Sequence, residues 1–129
     1  NGNDVTRYFI TENSFCCAEM LLMKKPFDCC FEALENCNLL CFDGSSFKSL
    51  TSQNINYMKA YISALEQSLI YKIERENSFL LKSAVERYLD FKKIHLDLEK
   101  RVNQSHIASY LGITPVSLSR IRRTIKEEN

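Results

Sequence analysis

The chain has 129 residues, 45% of them apolar, and a net charge of +1. That is enough for one ordinary domain or two small pieces with a real core, and it excludes a disordered chain. No apolar run approaches the length of a bilayer span, and the opening "NGNDVTRYF" has neither the basic start nor the apolar stretch of a secretory leader; a cytoplasmic protein with no membrane attachment is expected.

The charge is unevenly spread. Residues 1–81 carry 7 Lys+Arg against 10 Asp+Glu, and residues 82–129 carry 10 against 6, a balance of −3 in front and +4 behind. A polyanionic partner is therefore expected at the C-terminal end.

Residues 1–50 read as β structure. "NGND" is turn chemistry, residues 5–10 (V-T-R-Y-F-I) are β-branched and aromatic, and residues 31–34 and 39–42 form two further short strands around the asparagine-bearing turn 35–38. Between the first two strands "FCCAEMLLMKKP" is expected to make one helical turn, and "SSFKSL" can form another short helix after the break at residues 43–46.

All six cysteines, Cys16, Cys17, Cys29, Cys30, Cys37 and Cys41, lie in this segment. In a reducing compartment they are expected to be small buried packing residues. Neighbours on a strand point to opposite faces, and none of the common zinc spacings occurs, so neither a metal site nor a cofactor is expected. A thiol- or metal-responsive sensor built on the cluster at 29–41 is the alternative functional reading.

Residues 52–79 contain neither Pro nor Gly and form the longest helical candidate. Ile55, Met58, Ile62, Leu65 and Leu69 fall on a and d positions of a heptad, and Lys72 then breaks the seam. This stripe is expected to be a homodimer interface.

Residues 83–125 read as a compact helical unit. "SAVE", from Ser83 to Glu86, matches a capping box, and the helix it opens runs through Tyr88, Leu89 and Phe91 to about Ile94. A second helix opens at the Asn103 cap. Gly112 then interrupts the apolar pattern, at a cost of about 1 kcal/mol were it inside a helix, so it marks a turn. Thr114-Pro115 restarts the helix with a hydroxyl cap and a proline at the first helical position.

The result is a helix-turn-helix spacing. Ala108 is the small residue at the crossing, Gly112 opens the turn, and Ile113 plugs it. Ile107, Ala108 and Leu111 face inward from the first helix, as do Leu118, Ile121 and Ile125 from the second. Ser117, Arg120, Arg123 and Thr124 then lie outside, where hydroxyls suit phosphates or base edges and arginine suits guanine. His106 decorates the first helix or meets a phosphate.

The stretches "VTRYFITENSF", "FEALENCNLLCFD", "ERYLDF" and above all "RVNQSHIASYLGITPVSLSRIRR" resemble the Crp/Fnr family of bacterial transcription regulators, particularly its shorter Bacteroidetes versions. The resemblance implies an α+β chain: the C-terminal part of a β-roll effector domain over 1–50, a dimerisation helix and hinge over 51–81, and a helix-turn-helix domain over 82–129. It implies a homodimer that sets its recognition helix, residues 115–125, into the major groove of double-stranded DNA and regulates transcription through RNA polymerase. Gln104, Ser105, Thr114, Ser117, Ser119, Arg120 and Arg123 match positions that touch DNA in that family.

Several departures accompany the likeness. The front half of the roll and the wing after the recognition helix are not in this sequence. The family's cyclic-phosphate cassette has a Gly-Glu pair and an arginine, where this chain reads Ala18-Glu19 and no cation near Phe27-Asp28. An anionic cyclic phosphate would be poorly neutralised there, so any small-molecule effector is unknown and is not expected to be cyclic AMP. Val116 stands where relatives often carry a base-reading glutamate, and it either meets a thymine methyl group or reads nothing. No enzyme is expected, since the chain holds no P-loop, G-x-G-x-x-G, H-E-x-x-H or G-x-S-x-G.

Overall fold

A computed structural model of the chain describes residues 4–16, 18–23 and 29–127. Its elements are a 3-10 turn at Ala18–Leu22 and six α-helices: α1 (Gly44–Gln53), α2 (Ile55–Leu81), α3 (Ala84–Ile94), α4 (Leu98–Arg101), α5 (Gln104–Leu111) and α6 (Pro115–Glu127). The chain divides into two compact units, one of Thr11–Arg75 and one of Asn1–Ile10 with Glu76–Asn129.

The expected α+β fold with a partial β-roll is overturned. Among the described residues there is no β-strand. Residues 5–10, 31–34 and 39–42 have strand-like composition, but a strand exists only by pairing, and fewer than three paired strands rarely hold in water. These segments remain irregular: Phe9 packs on Phe91 and Tyr110 of the helical cluster, whereas Val5, Leu39 and Leu40 stay largely exposed. The opening turn at 1–3, Cys17 and the cassette positions Phe27 and Asp28 lie outside the described residues.

In the unit of Thr11–Arg75 the aromatic side chains cluster. Phe15, Phe42 and Phe47 have ring centroids 5.0–5.9 Å apart, and Phe47 meets Tyr61 of α2 edge-on at 5.6 Å. Asp43 caps α1 by accepting from the Ser46 amide at 2.9 Å and from the Ser45 hydroxyl. The Glu19 carboxylate is turned onto α2, where Lys72 lies at 3.3 Å and the Ser68 hydroxyl donates at 3.4 Å. Lys72, the residue that breaks the heptad, thus carries an ion pair. Burial opposes the charge of Glu19, but its own backbone amide, Lys72 and Ser68 outweigh it and hold the carboxyl below its ordinary pKa.

The expectation of buried cysteines also fails. Cys16, Cys30, Cys37 and Cys41 are exposed free thiols and Cys29 is half-buried. The physical reason is that no strands pair among the described residues, so the segment at 29–42 has no sheet to build a second layer on.

The other unit is a helical cluster. Its core is Tyr88 and Phe91 from α3, Leu98 from α4, Ile107, Ala108, Tyr110 and Leu111 from α5, and Leu118 from α6. Ser83 caps α3 in a complete capping box, accepting from the Glu86 amide while the Glu86 carboxylate accepts from the Ser83 amide at 2.8 Å. Asn103 caps α5 by accepting from the Ser105 amide. Phe9 packs onto this cluster, 5.3 Å from the ring of Tyr110 and 6.1 Å from that of Phe91. Ser109 fixes the same segment by accepting from the Thr6 amide at 2.9 Å.

Candidate nucleic-acid interface

The turn between α5 and α6 is built from its glycine outward. Gly112 has φ +67°, the left-handed conformation that closes a helix, and its amide donates to the carbonyls of Ala108 and Ser109. The Ile113 amide follows by donating to Ala108 O at 3.0 Å. A methyl group on Gly112 would lie 2.7 Å from Cε1 of Phe79, so both backbone and space exclude a side chain. Arg87 stacks over the Phe79 ring at 5.1 Å, and its Nε donates to the Leu111 carbonyl at 3.1 Å, satisfying an end carbonyl of α5.

Thr114 starts α6. Its Oγ1 accepts from the Ser117 amide at 3.1 Å and lies 2.9 Å from the Ser117 hydroxyl. Pro115 then occupies the first helical position, where a missing N–H costs nothing. Leu118 is fully buried and Ile121 and Ile125 are half-buried, so one side of α6 is anchored and the other is presented to solvent.

On the outer side the structure brings together Val116, Ser119, Arg120 and Arg123, all exposed, with Ser117 at the flank, half-buried. The Arg120 guanidinium has no partner among the described residues. Arg123 makes a loose surface contact to Glu127 at 3.7 Å, one turn along its own helix, of the kind worth little. Gln104 and Ser105 are exposed at the start of α5. His106, on the same turn, is half-buried.

The third arginine behaves differently. Arg122 turns inward to Glu99 of α4 at 2.9 Å, and Glu99 also accepts from the Tyr88 hydroxyl at 2.5 Å. Burial, followed by the neighbouring Glu99, pushes Tyr88 up to about 12, which keeps its proton on the donating oxygen. Sequence reasoning left Arg122 without a role and missed this clamp. The signal was available: Arg122 is four residues after the buried Leu118, hence on the anchored side of α6.

The residues expected at a dimer seam lie on α2, none of whose residues is buried. Ile55, Ile62 and Leu69 are 65%, 46% and 60% exposed, whereas Met58 and Leu65 are half-buried within the protomer. Among the described residues no three His, Cys, Asp or Glu side chains group as a metal site would require, and no helix is long and apolar enough to cross a membrane. Comparison with protein-family models, curated proteins and solved structures finds no match to this chain.

Proposed function

We propose that this protein is a non-enzymatic, sequence-specific DNA-binding transcription regulator that acts as a homodimer in the cytoplasm. One observation carries the reading: a helix-turn-helix whose second helix is anchored by Leu118 and offers the unpartnered Arg120 beside hydroxyls and a further cation, Arg123. The Val116 amide, the first N–H of α6, suits a phosphate, and at the same end Thr114 Oγ1 accepts from the Ser117 amide and meets the Ser117 hydroxyl. The resemblance to the Crp/Fnr family supports the same assignment and adds RNA polymerase as a partner.

The uncovered row Ile55, Ile62 and Leu69, seven residues apart on one helical face, supports a second copy of the chain as the partner of α2. A symmetric dimer would place two recognition helices on a near-palindromic site. The effector, if one is bound, is proposed not to be a cyclic nucleotide, because Glu19 is already engaged by Lys72 and Ser68.

Selection of duplexes from a randomised pool by the full chain, followed by Arg120→Ala, tests the reading. A preferred site that loses its preference in the variant is expected. Equal binding of all duplexes by the wild-type protein would overturn it. A second reading, a thiol-responsive sensor, draws on the exposure of Cys30, Cys37 and Cys41; a site affinity that changes with a mild oxidant, and no longer does so when these three are replaced by serine, would favour it.

A further inference from the structure

Val116 is the anomaly of α6. At 100° per residue it projects within about 20° of directly opposite Leu118, and it lies directly opposite Ile125, the residues that define the anchored side of the helix. It is 61% exposed. A β-branched residue gains nothing there from helix propensity, and the described residues leave most of it uncovered. Of the polar residues around it, the Thr114 and Ser117 hydroxyls bond to one another and Arg123 leans on Glu127. Arg120 is left beside it, four residues on and about 40° round the helix, with no partner among the described residues.

An apolar side chain and a free guanidinium adjacent on the face of a helix that enters the major groove match two different base edges. A branched methyl surface packs on the C5-methyl group of thymine, which cytosine lacks, and the arginine fork spans O6 and N7 of guanine. Four residues of helix rise about 6 Å, against about 3.4 Å per base-pair step. Resting on the DNA-binding reading, we infer that Val116 selects thymine by its methyl group, about two base-pair steps from a guanine held by Arg120.

The experiment uses the full chain and the duplex it selects from a randomised pool. Each thymine within three steps of the Arg120-dependent guanine is replaced by deoxyuridine, which deletes only the methyl group. One such replacement is expected to weaken binding about fourfold per half-site, the worth of one buried methyl group. Val116→Ala, a substitution at an exposed position, is expected to bind the thymine and uracil duplexes alike. Wild-type protein that keeps its guanine preference but ignores the methyl group would overturn the inference and leave the DNA-binding reading standing. Persistent discrimination in Val116→Ala would assign the methyl group to another residue and also overturn it. Absence of any preferred duplex would remove both.

Discussion

Arg122 and Glu99 are joined across 2.9 Å between α6 and α4, although Arg122 stands in the same basic run as the outward Arg120 and Arg123. One arginine of the run ties α6 to α4, while Arg120 and Arg123 stay exposed. Glu99 serves Tyr88 as well, so the carboxylate ties α3, α4 and α6 at one point.

Removing the carboxylate should therefore cost more than an exposed ion pair would. Glu99→Ala leaves the Arg122 guanidinium and the Tyr88 hydroxyl, both partly buried, without an acceptor, and about 1–3 kcal/mol of stability should be lost. Arg122→Ala should cost less, and the double variant should be less destabilised than the sum of the two. Urea denaturation of the four proteins measures this; additive losses would show that the pair does not act as a unit.

Gly112→Ala should destabilise the helix-turn-helix unit by more than about 1 kcal/mol, because the residue must hold φ +67° with a methyl group pressed on Phe79. Adding Phe79→Leu should recover only the steric part. A thermal melt of Gly112→Ala that matches the wild type would refute the packing described for the turn.

His95 links stability to pH. Its ring lies among Phe91 at 5.1 Å, Tyr110 at 6.0 Å and Phe9 at 6.1 Å, and its Nε2 is buried with no hydrogen-bond partner among the described residues. Burial lowers its pKa from the ordinary 6.5, so the unfolded chain takes up the proton more readily than the folded one. The contribution of His95 is complete above pH 6.5 and is lost as pH falls through the lower folded value. His95→Phe keeps the ring packing and should flatten the stability curve on the acid side of pH 6.5. An unchanged slope in the variant would assign the dependence to other groups.

The proposed α2 seam is testable without disturbing the fold of the chain, since Leu69 is exposed. Leu69→Lys would place a charge in an apolar interface, at a cost of several kcal/mol to association. Sedimentation should show a dimer for the wild type and a monomer for the variant, with unchanged helicity. A wild-type monomer at all concentrations would remove the dimer from the proposal.

On DNA, the two outward arginines should separate. Arg120→Ala should cost about 1–3 kcal/mol on the selected site and relax the choice of base there. Arg123→Ala should weaken all duplexes alike and reduce the salt dependence by about one unit of slope. Indistinguishable small effects of both would show that α6 reads no bases.

The helical half of this protein was legible residue by residue because its signals are local. A capping box at Ser83–Glu86, the Asn103 and Thr114 caps, Gly112 and the spacing of Ile107, Ala108, Leu111 and Leu118 act within a few residues, and the chain adopts what they specify. In the front half the helical turn at Ala18–Leu22 and the helix at Gly44–Gln53 were legible too, but the strands were not, because β structure is a property of pairs. Residues 5–10 have the composition of a strand, yet what decides their conformation is whether another strand lies alongside; without one, Phe9 is spent on Phe91 and Tyr110, and Thr6 on Ser109. The same holds within the basic run. Sequence alone placed three arginines on one helix, and only the position of Glu99, brought across from α4 by the packing of Leu98 and Tyr88, took Arg122 for the fold and left Arg120 free. Short-range rules settle which residues form a helix. Which of its charges stay available is settled by what the rest of the chain brings up against it, because a charge-assisted bond needs its partner within about 3 Å.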